Sequence, residues 1–403
     1  MTFDIEFLTS PLIITLLSVS VLCCIILTTA YRRRISRIRR YARATESAEI
    51  PAQLPGLSVI VYTKEDAEAL ERLLPELYSQ EYPGKFEVIV LSDGRCSDVE
   101  DVVTRLSFQH RNLRMTYVPD DSHALSRKKL AVTLGVKGAS YENILLTDVN
   151  VAPNSNRWLA LMARHFAAGK HVVIGACRMV DSEGANERPF AAFNTLADTT
   201  TWLTSAIGKR TYRATDKNLA FSRSLFFEKK GFADSTHLLH GIDDIFVSKI
   251  ASPENCAVEI QPDAIPTFRC YDLRSQHLAD KIQHNFTGKI TSQSARRFFG
   301  FGSLTMWIWV AVTVGLIAIA LAPFDFKSID LSHFIPAVGS IVLGIVWIAA
   351  VAVSWRNAAR ALGMKISAWR LPIQIFRRPF SNFAYRLRSI TNRSRNFSWT
   401  SGH

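Results

Sequence analysis

The sequence predicts an α/β domain built on a Rossmann-like, mostly parallel sheet and carried by three transmembrane helices. Three observations lead there. Three charge-free apolar runs, at 11–30, 303–322 and 334–354, each reach the roughly 20 residues that a bilayer core requires. Between the first two, strand-like and helix-like patterns alternate, which implies parallel strands joined by crossover helices. Arginine and lysine crowd the end of the first and third apolar runs, which fixes an orientation.

The runs come first. A buried core helix of this length would carry a polar stripe, and these carry none. Only Asp4 and Glu6 precede the first run, whereas Arg32, Arg33, Arg34, Arg37, Arg39, Arg40 and Arg43 follow it. The second and third are joined by a short loop holding Asp325, Lys327 and Asp330. After the third there is no acid, but there are Arg356, Arg360, Lys365, Arg370, Arg377, Arg378, Arg386, Arg388, Arg393 and Arg395. Positive residues stay inside, so the expectation is an N-terminus outside and a soluble domain in the cytoplasm, at the inner (plasma) membrane. Positive residues after rather than before the apolar stretch argue against a cleaved signal peptide.

These flanking residues outweigh the whole net charge of +13, so the basic balance reports topology and anionic lipid contact, not nucleic acid. Six scattered cysteines form no zinc or disulfide pattern and suit a reducing compartment. The expected organisation is an external segment at 1–10, the first span, and a basic juxtamembrane linker at 31–55. The soluble domain follows at 56–265, an amphipathic interfacial segment at 266–302, two further spans, and a basic cytoplasmic tail at 355–403.

Within the domain, LSVIVY at 57–62 reads as a strand, followed by leucines at helical spacing (Leu70, Leu73, Leu74, Leu77). Pro83 and Gly84 end that helix, and FEVIVL at 86–91 is the second strand. A helix at 98–108, a strand at 113–118, a helix at 128–139 and a strand at 143–147 complete the alternation. Ligands of such sheets bind beyond the carboxyl ends of the strands, so the polar residues there are the candidates. Further on, 158–166 and 190–207 read as helices and 171–177 as a strand. The stretch 273–297 is amphipathic, suiting a membrane-surface helix or a polar surface helix.

Three places carry possible chemistry. Asp93 closes the second strand, where a short acid can accept hydrogen bonds from a base or ribose; Asp-Gly is also an ordinary turn. Asp148 and Asn150 end the fourth strand, where two oxygen ligands can hold a divalent cation against a diphosphate. Asp243 and Asp244 follow Gly241; one can take an acceptor proton, and capping a helix is the plain alternative.

Together these motifs resemble family 2 inverting glycosyltransferases of the GT-A fold, in particular membrane-anchored bacterial envelope members. The resemblance lies in LSVIVYTKEDAEALERLLPELYSQEYPGKFEVIVLSDGRCSD, in LSRKKLAVTLGVKGASYENILLTDVNVAP and in GIDDIFV, covering about residues 56–250. It implies that Thr63, Glu65, Asp93, Lys128, Lys129 and Asp148 bind the nucleotide-sugar donor. It further implies that Asp148 and Asn150 hold Mg²⁺ or Mn²⁺, and that Asp243 is the catalytic base with Asp244 as its fallback. One departure is Asp-Val-Asn in place of the two-acid metal motif. Another is the lack of Gln-x-x-Arg-Trp, whose nearest match, Gln293 to Arg297, lacks the Trp.

The expected activity is transfer of one sugar to a membrane-associated, lipid-linked saccharide in envelope or surface polysaccharide synthesis, with the acceptor near Phe286, Phe298 and Phe299. A processive polysaccharide synthase and a non-catalytic scaffold that keeps the fold are the alternatives. Two spans after the domain are few for a polymer channel, which favours single addition.

Overall fold

The computed structural model describes residues 5–46, 48–122, 126–181, 189–288, 290–291, 294–322 and 331–391. The loop with Asp325, Lys327 and Asp330, residue Gln293, the tail residues Arg393 and Arg395, and the side chains of Phe298 and Phe299 lie outside the described residues.

The chain begins with α1 (Ile5–Leu8) and α2 (Pro11–Thr45). Then come β1 (Leu57–Thr63), α3 (Ala67–Tyr78), β2 (Phe86–Ser92), α4 (Ser97–Ser107), β3 (Leu113–Tyr117), α5 (Arg127–Gly138) and β4 (Asn143–Asp148). Next are β5 (Val151–Ala152), α6 (Trp158–Ala167), β6 (Val172–Gly175), β7 (Arg178–Asp181), α7 (Pro189–Ile207), β8 (Leu219–Ser222) and α8 (Arg223–Glu228). A π-helical turn (Ile242–Phe246) leads into α9 (Val247–Ile250), β9 (Cys256–Glu259), β10 (Thr267–Cys270) and α10 (Leu273–Thr287). Last are α11 (Ser294–Leu321), α12 (Ile335–Ala361) and α13 (Leu371–Thr391). The alternation expected over 57–148 is present throughout.

Two compact units emerge. One comprises Met1–Arg37, Ser294–Ala358 and Ser367–Asn382; the other comprises Ile38–Gln293, Ala359–Ile366 and Phe383–His403. Pro11–Thr45, Ser303–Leu321 and Ser332–Ala361, which fall mostly in the first, are long and apolar enough to cross a membrane. Buried hydroxyls link them: Ser340 Oγ lies 2.7 Å from Ser20 Oγ and 2.8 Å from Thr313 Oγ1. With no water in hydrocarbon, such hydroxyls find partners on neighbouring helices. Gly344 packs under Trp309, where a Cβ would sit 2.1 Å from the indole.

In the second unit, a seven-stranded sheet has the order β3-β2-β1-β4-β8-β6-β9, and a three-stranded sheet the order β5-β10-β7. The pairs β3–β2, β2–β1, β1–β4 and β6–β9 are parallel, while β8 runs against both β4 and β6. Every residue of β1 is buried, as expected for a parallel strand covered on both faces. Asp66 caps α3 by accepting from the Ala69 N–H at 2.9 Å, and Leu70, Leu73, Leu74 and Leu77 turn into the core.

One buried amide organises the middle of the sheet. Asn218, just before β8, accepts from Trp158 Nε1 at 3.0 Å and donates to the carbonyls of Ala176 and Ala264. Both Asn218 and Trp158 are wholly buried, and Gly175 leaves the space the amide fills. Asn218→Ala strands an indole N–H and two carbonyls, so a loss of about 3 kcal/mol is expected in a urea titration of the detergent-solubilised chain.

Candidate active site

The site starts from strand register. Parallel pairing sets Thr63 beside Ser92 and Tyr62 beside Asp148, so the carboxyl ends of β1, β2 and β4 share one edge. The sheet extends from β1 in both directions, through β2 to β3 and through β4 to β8, which opens a crevice at that edge. Because β8 is antiparallel to β4, with Leu219 beside Leu146, the residues preceding β8 reach the same edge.

At the β2 end, Arg127 at the start of α5 donates through Nε to the Asp93 carbonyl at 2.8 Å and to Asp93 Oδ1 at 3.1 Å. The Tyr62 hydroxyl bonds to Asp93 too; burial first, and then the charges of Asp93 and Asp148, raise its pKa. A carboxylate beside a guanidinium thus faces the crevice with an acceptor and a donor in fixed places.

At the β4 end, Asp148 Oδ1 accepts from the Asn150 backbone N–H at 3.1 Å, and its Oδ2 lies 3.6 Å from Lys128 Nζ. Lys128 also donates to Asp216 Oδ2 at 2.7 Å, and its ammonium sits 4.6 Å from the centre of the Tyr62 ring. Lys217 meets the other oxygen of Asp216 at 3.0 Å. Burial opposes ionisation of Asp216, but the two lysines outweigh it and hold its pKa well below the usual carboxylate range. Lys217 is raised in turn, its burial overcome by Asp216, Asp280 and Asp148. Asp148, Lys128, Asp216 and Lys217 therefore form one chain of charges.

The π-helical turn lies within electrostatic reach of that chain. Gly241 precedes the turn at φ 118°, a conformation glycine tolerates and other residues resist. The adjacent acids then meet different surroundings. Asp243 Oδ2 lies 2.6 Å from Nε2 of His284, which projects from α10. Burial would raise the Asp243 pKa, but His284 outweighs it and lowers it. Asp244 is 1% exposed, accepts from the Ile245 N–H at 2.6 Å and from the Thr287 hydroxyl, and is raised by burial and by Asp243. Asp243 is the less buried acid, its pKa lowered by His284; Asp244 is the anchored one.

The residues expected from sequence divide accordingly. Asp93, Asp148 and Lys128 lie at the crevice edge, and Asp243 and Asp244 join them through the charges around Asp216 and Asp280. Lys129 is buried and donates to Ser235 O at 2.7 Å and Leu238 O at 2.9 Å; burial lowers its pKa to about 8 against the raising charges of Asp244 and Asp243. Thr63 is buried, its hydroxyl taking the Asp66 N–H, and Glu65 is exposed. Sequence reasoning missed Arg127, Asp216, Lys217, Asp280 and His284. Asp280 and His284 stand four apart, on one face of a polar helix. That spacing was a usable signal.

A divalent cation suits this site. Asp243, Asp244 and His284 each offer a ligand atom, and those atoms lie within 4.8 Å of one another. Carboxylate oxygen with imidazole nitrogen favours Mn²⁺ over the all-oxygen preference of Mg²⁺. Both oxygens of Asp148, by contrast, already face the Asn150 N–H and the Lys128 ammonium. Calorimetry with Mn²⁺ on the full chain distinguishes the two sets. His284→Ala is expected to weaken binding by about tenfold or more, and Asn150→Ala to leave it nearly unchanged; the reverse result returns the ion to Asp148 and Asn150.

No protein-family model and no curated protein sequence matches the chain. Among solved structures it is similar to the mannosyltransferase PcManGT from Pyrobaculum calidifontis, solved in complex with GDP-Man and Mn²⁺. That likeness has 20% identity and a TM-score of 0.46, and it covers 85% of this chain and 98% of that one. It is also similar to S. aureus TarS 1-349, at 14% identity and a TM-score of 0.38, over 83% of this chain and 90% of that one. GalNAc-T7, solved with UDP, GalNAc and Mn²⁺, matches at 14% identity and a TM-score of 0.38, over 54% of this chain and 44% of that one.

Proposed function

We propose that this chain is a membrane-anchored glycosyltransferase of the family 2 type. On this reading it moves a sugar from a nucleotide-sugar donor onto a lipid-linked saccharide acceptor, inverting the anomeric centre. The observation that carries the reading is the run of ion pairs Asp148–Lys128–Asp216–Lys217 at the carboxyl edge of a parallel sheet, with the separate Asp243–His284 pair within electrostatic reach of it. Such an edge is where an α/β sheet binds nucleotides.

In this mechanism Asp93 and Arg127 receive the nucleoside, and Asp148 with Lys128 lies against the diphosphate. Asp243, held by His284 through Oδ2, keeps Oδ1 for the acceptor hydroxyl. The acceptor oxygen bonds to the anomeric carbon as the bond from that carbon to the phosphate oxygen breaks. The acceptor proton passes to Asp243, and the electron pair leaves with the nucleoside diphosphate. Asp243, Asp244 and His284 would hold a divalent cation, which when bound would supply positive charge against the departing diphosphate.

The arginines that follow the first and third apolar runs support a cytoplasmic domain, where nucleotide-sugars are made, with anionic lipids at the basic flanks and a role in envelope or surface polysaccharide synthesis. The test is incubation of the detergent-solubilised full chain with a panel of nucleotide-sugars, with and without Mn²⁺ or Mg²⁺. Release of nucleoside diphosphate and growth of the acceptor by one sugar are expected. Neither binding nor turnover across the panel would end this reading, and long products would favour a processive enzyme.

A further inference from the structure

The segment after the third apolar run reads from sequence as simply basic, yet it forms a helix with two unlike sides. In α13 and the 3-10 turn before it (Ala368–Arg370), Trp369, Ile373, Phe376, Phe383 and Leu387 recur at spacings of three, four and seven, which is one stripe of a helix. All are exposed: Trp369 by 71%, Ile373 by 65%, Phe383 by 53% and Leu387 by 50%. A helix packed on a water-soluble body turns such a stripe inward. Here Leu371, Gln374 and Ile375 take the inward side, and the larger apolar face points away.

Charge and position identify what covers that face. Arg370, Arg377 and Arg388 are exposed along one border of the stripe, and the helix has no acidic residue. Phe380, on the line of the stripe, packs edge-on against Trp307 with ring centres 4.4 Å apart. Trp307 lies four residues into the apolar span that opens at Ser303, about 6 Å along its axis. That contact fixes α13 at the depth where α11 leaves the apolar layer, the level at which tryptophan and basic side chains gather. Two copies of this helix facing each other would set arginine against arginine, so a second copy of the chain suits the face poorly.

We propose that α13 lies in the head-group interface of a bilayer containing anionic lipid, its stripe among acyl chains and its arginines on lipid phosphates. The proposal rests on the reading that α2, α11 and α12 cross a membrane, but not on the sugar-transfer reading. The experiment compares hydrogen exchange of α13 in the full chain, reconstituted in nanodiscs of phosphatidylcholine alone or with phosphatidylglycerol. Exchange is expected to slow by about tenfold with phosphatidylglycerol and to recover in high salt. A double Ile373→Glu, Phe383→Glu variant should lose that protection while exchange in the sheet is unchanged, which shows that it still folds. Equal exchange in both lipids overturns the proposal. So does protection in detergent that grows with protein concentration, which assigns the stripe to a second copy. Failure of the chain to enter nanodiscs overturns both the proposal and the membrane reading beneath it.

Discussion

Asp243→Asn is expected to lower sugar transfer about a thousandfold while leaving nucleoside diphosphate binding, measured without added metal, close to wild type. The amide keeps the shape of the side chain but cannot take a proton from an acceptor hydroxyl. Asp244→Asn should behave differently. Its carboxyl is buried, accepts from the Ile245 N–H and the Thr287 hydroxyl, and so anchors the turn instead of meeting the acceptor. At saturating Mn²⁺ that variant should keep more turnover than Asp243→Asn, its effect falling on thermal unfolding and on a higher Mn²⁺ requirement. Measuring kcat and melting temperature on both variants decides the matter. If Asp244→Asn abolishes turnover and Asp243→Asn does not, the base is the buried acid, and the role given to His284 falls with it.

Replacement of Lys128 by methionine is the second large effect expected. It leaves Asp148 without its lysine partner and Asp216 with Lys217 alone, in a part of the crevice where all four side chains are at most 24% exposed. Removing one member of a buried, hydrogen-bonded charge pair typically costs about 2–5 kcal/mol, here divided between folding and donor binding. Titration calorimetry with a nucleoside diphosphate should show weaker binding in Lys128→Met and a partial return in Lys128→Arg. Lys129→Met should leave that affinity alone and loosen the Ser235–Leu238 turn instead. Wild-type affinity in Lys128→Met would mean that the lysine serves only to neutralise Asp216.

The contrast between these two neighbours shows where the sequence was legible and where it was not. Both lysines were candidates because they adjoin each other at the start of one helix. A helix turns by about 100° per residue, so adjacent side chains face different surroundings, and only the packed structure says which one meets the crevice. The strands up to Asp148 were readable because buried parallel strands are nearly continuous apolar runs with abrupt polar ends. Asp93 and Asp148 stood out as those ends. Asp216 and Lys217 did not, since they precede a strand instead of following one. The reversal of β8 brings a strand's start to the edge where its neighbours finish, and nothing local in Asn218–Ser222 announces that reversal. His284 was hidden for another reason. Its helix reads equally well as a surface helix at a membrane, and only its tertiary contact with Asp243 separates the two.

The hydroxyls of Ser20, Thr313 and Ser340 have a consequence for how the protein is made. Two of the three helices they join emerge from the ribosome about 300 residues after the first. At ordinary elongation speeds Ser20 then waits on the order of half a minute for its partners. During that interval the sheet can complete its own fold while α2 is still a lone helix with an unmatched hydroxyl. Assembly of the helical unit is therefore a late, separable event in biosynthesis. Ser340→Ala should delay it, so that newly made chains stay sensitive to membrane proteases for longer even where the sheet domain is already native.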